Sequence, residues 1–288
     1  MRALASAPTP ATRGVVHRRA RTRAHRARPR ASASDPSSSA RPPSARYEKT
    51  WSNPTGNVLT DVVPGVVWAA ERPFTWNAID VGGKMAVVRL RDGALWVHSP
   101  IDLDDATRAA IDALGSVKHV VSPNYEHVKW AAQWKEAYPD ATLYGCPGMR
   151  AKKPGIPWDA EVGEDGAPEA WGGEFDVALF DCEVNPFTST PFFNEVVFCH
   201  AASGVAFVTD VFWNYPGGDD VPPGTRLWKF GMDRVYLPFY RAAMVRDREK
   251  FARAREKVLS WDFDAALPCH GSFIPRGAKD ALRRHLAL

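Results

Sequence analysis

The sequence predicts an α/β fold with αββα layering, a four-layer sandwich in which two β-sheets face each other between outer helices. Two observations carry this. β-like apolar runs come first in pairs and then alternate with amphipathic helical stretches, and 45% of the 288 residues are hydrophobic, enough for one large α/β domain or two small ones. A third observation bounds it. The most apolar window, VVFCHAASGVAFV at 196–208, holds His200 and Ser203 and falls short of the ~20 apolar residues a spanning helix needs, so no membrane span is expected.

Charge divides the chain. Residues 1–46 hold eleven Arg, no Lys and one acid, Asp35, a net of +10; the whole chain carries +4, which leaves −6 for residues 47–288. Rich in Arg, Ala, Ser and Pro, this leader cannot offset folding entropy by burying apolar surface and is expected to be disordered. Few acids and no apolar h-region fit an organelle transit peptide rather than a secretory signal. The expected destination is the chloroplast, with the mitochondrion as alternative, cleavage near Ala31 to Ser34 and import machinery as the leader's partner. A nucleic-acid-binding arm is the competing reading of the same Arg run. Under the targeting reading, residues 47–288 form the working domain, with a small-molecule substrate or ligand and no nucleic-acid partner.

Within that domain, MAVVRL (85–90), the Asp92-Gly93 turn and ALWVHS (94–99) read as a β-hairpin. After Pro100 the acids Asp102, Asp104 and Asp105 precede Ala106, Ala110, Ile111 and Leu114, a helix with a negative first turn that stops at Gly115. KHVVS (118–122) is the next strand and VKWAAQWKEAY (128–138) the next helix, whose Trp130, Trp134 and Tyr138 have the spacing of a buried stripe. TLYG (142–145) returns as a strand, and the stretch 147–174, rich in Pro, Gly and acids, reads as a surface excursion. FDVALF (175–180), NEVVFCH (194–200) and GVAFVTD (204–210) resume the sheet. Residues 244–260 form a helix with Phe251, Ala254, Val258 and Leu259 on one face, DAALP (264–268) a final buried strand, and 277–288 a closing helix. Cys146, Cys182, Cys199 and Cys269 are scattered without a C-x-x-C pair, which leaves no zinc ribbon or thioredoxin-type motif.

Polar groups gather where three apolar runs end. HVVS leads into SPNYEH with Asn124, Glu126 and His127; GVAFVT ends at Asp210; DAALPC ends at His270. Ligands in layered α/β folds bind just beyond strand ends, and two imidazoles with one or two carboxylates make a set for one divalent ion, zinc, iron or manganese. Taken singly, each has a plainer role: His127 as a helix cap, Asp210 as a partner of loop amides, His270 as a polar-pocket residue.

The order of strands, the Glu-His after the third strand, the hairpin ending FVTD and the late PCHG resemble the metallo-β-lactamase-like hydrolases. NVLTDVVPGVVW, LWVHSPI, SPNYEH, PFFNEVVF and FVTD resemble, more narrowly, the DUF4336 family of plant, algal and cyanobacterial proteins, over most of residues 53–280. In the wider family an H-x-H-x-D-H loop, a third His before a hairpin, a strand ending in Asp and a late His assemble two metal sites. Carried onto this chain, the loop falls on Ser122, Asn124, Glu126 and His127, and the third His on Asn194 and Glu195. The motif is degenerate. The resemblance therefore implies a lost first site and a retained second one of Glu126, His127, Asp210 and His270.

If one metal binds, the resemblance implies His127, Asp210 and His270 as ligands, Glu126 as a fourth ligand or the base, Glu126 or Asp210 as proton acceptor, and Asn124 as a polar orienter. His98, Trp213 and Asn214 join Asn124 as candidate substrate contacts, with Trp76, Asn77 and Tyr215 as further pocket walls. The leading expectation is a mononuclear metal-dependent hydrolase of an ester, thioester or lactone. A non-catalytic binding or assembly module without metal, and a mononuclear iron redox enzyme, are the alternatives.

Overall fold

The computed structural model describes residues 46–288. The disorder and targeting expected of the leader fall, apart from Arg46, outside the described residues.

β1 (Thr60–Val63) and β2 (Val67–Arg72) form a hairpin, and a ribbon of β3 (Thr75–Trp76) and β4 (Ile79–Asp80) leads into β5 (Gly83–Arg89). The chain turns at Asp92-Gly93 into β6 (Leu95–His98), with Gly93 at φ +87° and the Asp92 carboxylate accepting the Ala94 amide at 2.9 Å. α1 (Asp105–Asp112) begins where Asp104 accepts the Thr107 amide at 2.7 Å. β7 (Val117–Ser122), α2 (Ala131–Ala137), β8 (Thr142–Gly145), the short α3 (Met149–Lys152) and β9 (Ala160–Glu161) follow. The first sheet runs β1-β2-β5-β6-β7-β8-β9, antiparallel as far as β6 and parallel from there.

The second sheet orders β10 (Phe175–Phe180), β11 (Glu195–His200), β12 (Val205–Val208) and β13 (Ala265–Pro268), with β12 and β13 parallel. Period-two alternation splits its side chains between two cores. Val196, Phe198, Val205 and Phe207 face the first sheet, while Val197, Cys199, Ala206 and Val208 face α6 (Arg248–Ser260) and α7 (Ala278–His285). On the far side, Ile111 of α1 with Ala131 and Trp134 of α2 cover the first sheet. The result is the αββα sandwich that the sequence predicts.

Two stretches differ from expectation. Residues 147–174 are not a mere surface excursion, because Met149, Trp158, Val162 and Trp171 are buried and Trp171 meets Trp96 edge-on at 5.5 Å. Between β12 and α6 lies a helical segment that shows no clean period in sequence. It comprises α4 (Pro223–Gly231), a π-helical turn at Met232–Tyr236, α5 (Leu237–Phe239) and a second π-helical turn at Tyr240–Met244.

Candidate metal centre

Strand register assembles the site. β12 and β13 are parallel with Val208 opposite Pro268, so the residues two further on, Asp210 and His270, leave neighbouring strand ends side by side. The loop after β7 brings His127 to the same place from the first sheet. His127 Nε2 stands 3.3 Å from Asp210 Oδ2, and His270 Nε2 stands 3.5 Å from Asp210 Oδ1. One donor atom from each of the three lies within 4.8 Å of the others.

Each of the three is held from behind. Ser99 Oγ, on a residue at φ +54°, lies 2.7 Å from His127 Nδ1. His270 Nδ1 donates to the Gly82 carbonyl at 2.9 Å, which leaves Nε2 as the nitrogen offered to the shared space. Asn124 Nδ2 donates to Asp210 Oδ2 at 2.7 Å, while its Oδ1 accepts the amides of Glu126 and His127 at 3.0 and 2.9 Å. This Asx turn shapes the loop that the sequence singled out as SPNYEH. Burial raises the Asp210 carboxyl, yet His127 and His270 outweigh it and hold the group well below the usual carboxylate range. The same pairing overcomes burial at His270 and raises its imidazole.

Beneath these lies Glu195, whose role the sequence did not give. Its Oε1 accepts the Thr209 amide at 2.7 Å; its Oε2 accepts the Asp210 and Val211 amides at 2.7 and 3.0 Å and Asn124 Nδ2 at 3.1 Å. Burial, and then the Asp210 carboxylate beside it, pushes Glu195 up. A buried carboxylate facing only donors ties the β7 loop, β11 and the end of β12 into one unit. Lys84 was also missed. It is buried, pairs with Glu71 at 2.9 Å and donates to the Gly271 carbonyl at 2.7 Å, which pins the turn after His270. The acid-lysine pair sits 13 residues apart in sequence across adjacent strands, at Glu71 and Lys84, a separation that only the β2–β5 register makes meaningful.

The three donors face a cavity of about 310 Å³ with walls of Phe74, Trp130, Phe193, Trp213, Tyr215 and Trp228. Trp213 and Tyr215 thus wall it, as does Trp76, while Trp130 both packs against the first core, as its spacing predicts, and lines the cavity. Glu126 lies on the cavity wall but is exposed and stands outside the three-donor cluster, because its side chain leaves the loop on the solvent side. The three remaining substrate-contact candidates do not reach the cavity. Asn124 is fully buried in the brace just described. Asn214 donates to the Ser272 carbonyl at 2.9 Å and, through its own backbone amide, to the His270 carbonyl at 3.1 Å, so it shapes the loop that carries His270. His98 lies stacked on Trp96 at 5.6 Å, 1% exposed, and burial, with a smaller contribution from His127, pushes its imidazole down to about 3. Cys269 is buried too, and burial pushes its thiol up.

Does this set fit a metal ion? Two imidazoles with inward Nε2 atoms fixed by partners on Nδ1, and a carboxylate kept ionised between them, are the donor types and outer partners that a divalent ion takes. The set is short of the four ligands of a closed structural zinc site and resembles the three-ligand arrangement of open ones.

Fold and cluster together define a protein of the metallo-β-lactamase fold. DIM-1 metallo-beta-lactamase superposes with a TM-score of 0.54 at 11% identity, covering 79% of this chain and 95% of that one. A metallo-beta-lactamase from Pontibacter korlensis gives 0.51 at 11% identity over 79% and 97%. A flavo di-iron protein from Thermotoga maritima gives 0.51 at 15% identity over 76% of this chain and 58% of that longer one. No curated protein matches the sequence. Residues 64–223 match the Domain of unknown function (DUF4336), and the chain belongs to that family. Among the described residues no helix is long and apolar enough to cross a membrane.

Proposed function

We propose that this chain is a mononuclear metal-dependent hydrolase acting on an ester, thioester or lactone. The observation that carries the reading is the convergence of His127, Asp210 and His270 at the head of an apolar cavity. Those three residues would hold the ion. When bound, a divalent ion supplies a Lewis acid that polarises a substrate carbonyl and lowers the pKa of water toward ~7.

The chain's own residues divide the remaining work. Of the two carboxylates expected to accept a proton, Asp210 already serves both imidazoles and the Asn124 amide, and its depressed pKa makes it a weak base. Glu126 lines the cavity and, among the described residues, its carboxylate accepts no hydrogen bond, so it takes that role. The walls of Trp213, Tyr215 and Phe193 exclude water and hold an apolar acyl or aryl group. Ser99, Gly82 and Asn124 keep the three donors in place.

Elemental analysis of the purified chain beside the His127→Ala/His270→Ala variant tests this. Near-stoichiometric zinc or manganese, lost in the variant together with turnover of ester, thioester or lactone substrates, is the expected result. Equal, negligible metal in both would overturn it and leave the non-catalytic binding module. Iron with oxygen consumption would favour the redox reading, which the two-His, one-carboxylate donor set also suits.

A further inference from the structure

The helical segment from Pro223 to Met244 is apolar on two sides. Trp228, Met232 and Tyr236, spaced four apart, face the cavity. Leu227, Phe230, Val235 and Phe239, outside that cavity-facing stripe, are 68%, 60%, 63% and 40% exposed. A surface helix ordinarily keeps its outer stripe polar, and a helix that is apolar all round is ordinarily buried. Here the outer stripe faces solvent.

Charge narrows what covers it. Between Pro223 and Met244 stand Arg226, Lys229, Arg234 and Arg241 against the single acid Asp233, whereas residues 47–288 as a whole carry −6. The segment thus carries a net +3 against the charge of the domain, with Arg226 pairing with Asp219 at 3.3 Å and Lys229 with Asp233 at 2.5 Å, while Arg234 has no acid partner among the described residues. Arg226 and Arg234 are exposed beside the apolar stripe. Leu and Phe on one face with Arg and Lys along its flanks is the composition of a helix that lies in a lipid interface. The site is also continuous with the cavity. Thr225 Oγ1 donates to the Asp80 carbonyl at 2.9 Å, which fastens the segment to the β3–β4 ribbon, and Trp76 of that ribbon lines the cavity while 52% exposed.

We propose that the outer face of the 223–244 segment docks on an anionic lipid surface, with the cavity mouth opening onto that surface. Docking stands independently of the metal centre. That an acyl compound passes from the lipid into the cavity rests on the hydrolase reading above. A bilayer fits better than a protein partner because the stripe carries no outward polar group to fix a register, and because an aromatic-walled cavity takes ligands that partition into lipid.

The test uses the full chain carrying Leu227→Cys labelled with an environment-sensitive fluorophore; the native cysteines Cys146, Cys182, Cys199 and Cys269 are buried. Vesicles of phosphatidylcholine with and without phosphatidylglycerol, some with brominated acyl chains, are the probe. The label at 227 should shift to the blue and be quenched on anionic vesicles, while a label at the exposed Asp140→Cys should not. Arg226→Glu with Arg234→Glu should weaken partitioning at least about tenfold, since each basic residue near such a surface contributes about fivefold. The same result is expected with the metal ligands replaced, so failure of the hydrolase reading leaves this outcome unchanged. An unquenched label at 227 on vesicles that retain the chain would assign binding to the Arg-rich leader and overturn the proposal. Self-association in solution, broken by Phe230→Asp, would overturn it in favour of a second copy as the occupant.

Discussion

Glu195→Gln isolates the brace under the His127, Asp210 and His270 cluster. The carboxylate accepts four hydrogen bonds through two oxygens: one at Oε1 from the Thr209 amide, and three at Oε2 from the Asp210 and Val211 amides and from Asn124 Nδ2. Glutamine has one acceptor and one donor end. Its best orientation keeps the carbonyl oxygen in the place of Oε2 and turns its NH2 against the Thr209 amide. That leaves a buried amide unpaired at about 1–3 kcal/mol and removes charge assistance from the other three bonds. Relief of repulsion from Asp210 offsets part of this. The expected net loss is about 2–4 kcal/mol, which at about 2–4 °C per kcal/mol for a domain of this size lowers Tm by about 10 °C. Differential scanning calorimetry in metal-free buffer measures it. A fall of less than about 2 °C would refute the reasoning, because it would mean that the Thr209 amide finds another acceptor at no cost.

Ser99→Ala removes the partner of His127 Nδ1 and should weaken metal binding about 10- to 100-fold with little change in fold, read by chelator competition; unchanged affinity would mean that the 2.7 Å contact does not orient the ring. Burial pushes His98 down to about 3 and His285 to about 4 from an ordinary 6.5. The unfolded chain therefore binds more protons below pH ~6.5, so stability is full above that value and falls as pH drops toward 4, by on the order of 3 kcal/mol per residue. Urea midpoints at neutral and acid pH check this, and His285→Gln should lose less than the native chain; equal acid loss would remove His285 from the account. Gly271→Ala should cost more than about 3 kcal/mol, because Gly271 sits at φ +91° and a Cβ would overlap the Asn214 carbonyl; a variant that melts like the native chain would mean that the loop yields without displacing His270.

The parts legible in sequence share one property: their signals are local. The Asp92-Gly93 hairpin and the acid-led start of α1 are found with ends shifted by one or two residues, and the runs TLYG and FDVALF are β8 and β10 with the same bounds. The grouping of His127, Asp210 and His270 was legible because each follows an apolar run, and strand ends meet in layered folds. The misses are non-local. The outer roles of Ser99, Gly82 and Lys84 depend on register between strands, and Asn124 and His98 were assigned to the cavity because sequence does not show the direction in which a strand-end side chain leaves. The 223–244 helix was missed for a different reason. Its apolar residues occupy both faces, which erases the period, and Pro222, Pro223, Gly224, Gly231 and Pro238 interrupt its propensity.

The positions where the resemblance puts the ligands of a first metal, Ser122, Asn124 and Asn194-Glu195, do not form a damaged site. Asn194 Nδ2 donates to the Pro147 carbonyl at 2.6 Å, and the Asn124–Glu195 contact at 3.1 Å joins the β7 loop to β11 and the end of β12. An ion coordinated there would tie the same segments together; in this chain an amide and a carboxylate do so by hydrogen bonds. Only Ser122 Oγ is left buried without a partner among these side chains. The substitution has a consequence for the remaining centre. A brace of hydrogen bonds forms on folding and needs no ion, so His127 and Asp210 are positioned before any metal arrives, and His270 is fixed separately through Gly82. Such a centre should lose its ion without losing its fold, in contrast to a structural zinc site, where removal of the metal unfolds the domain.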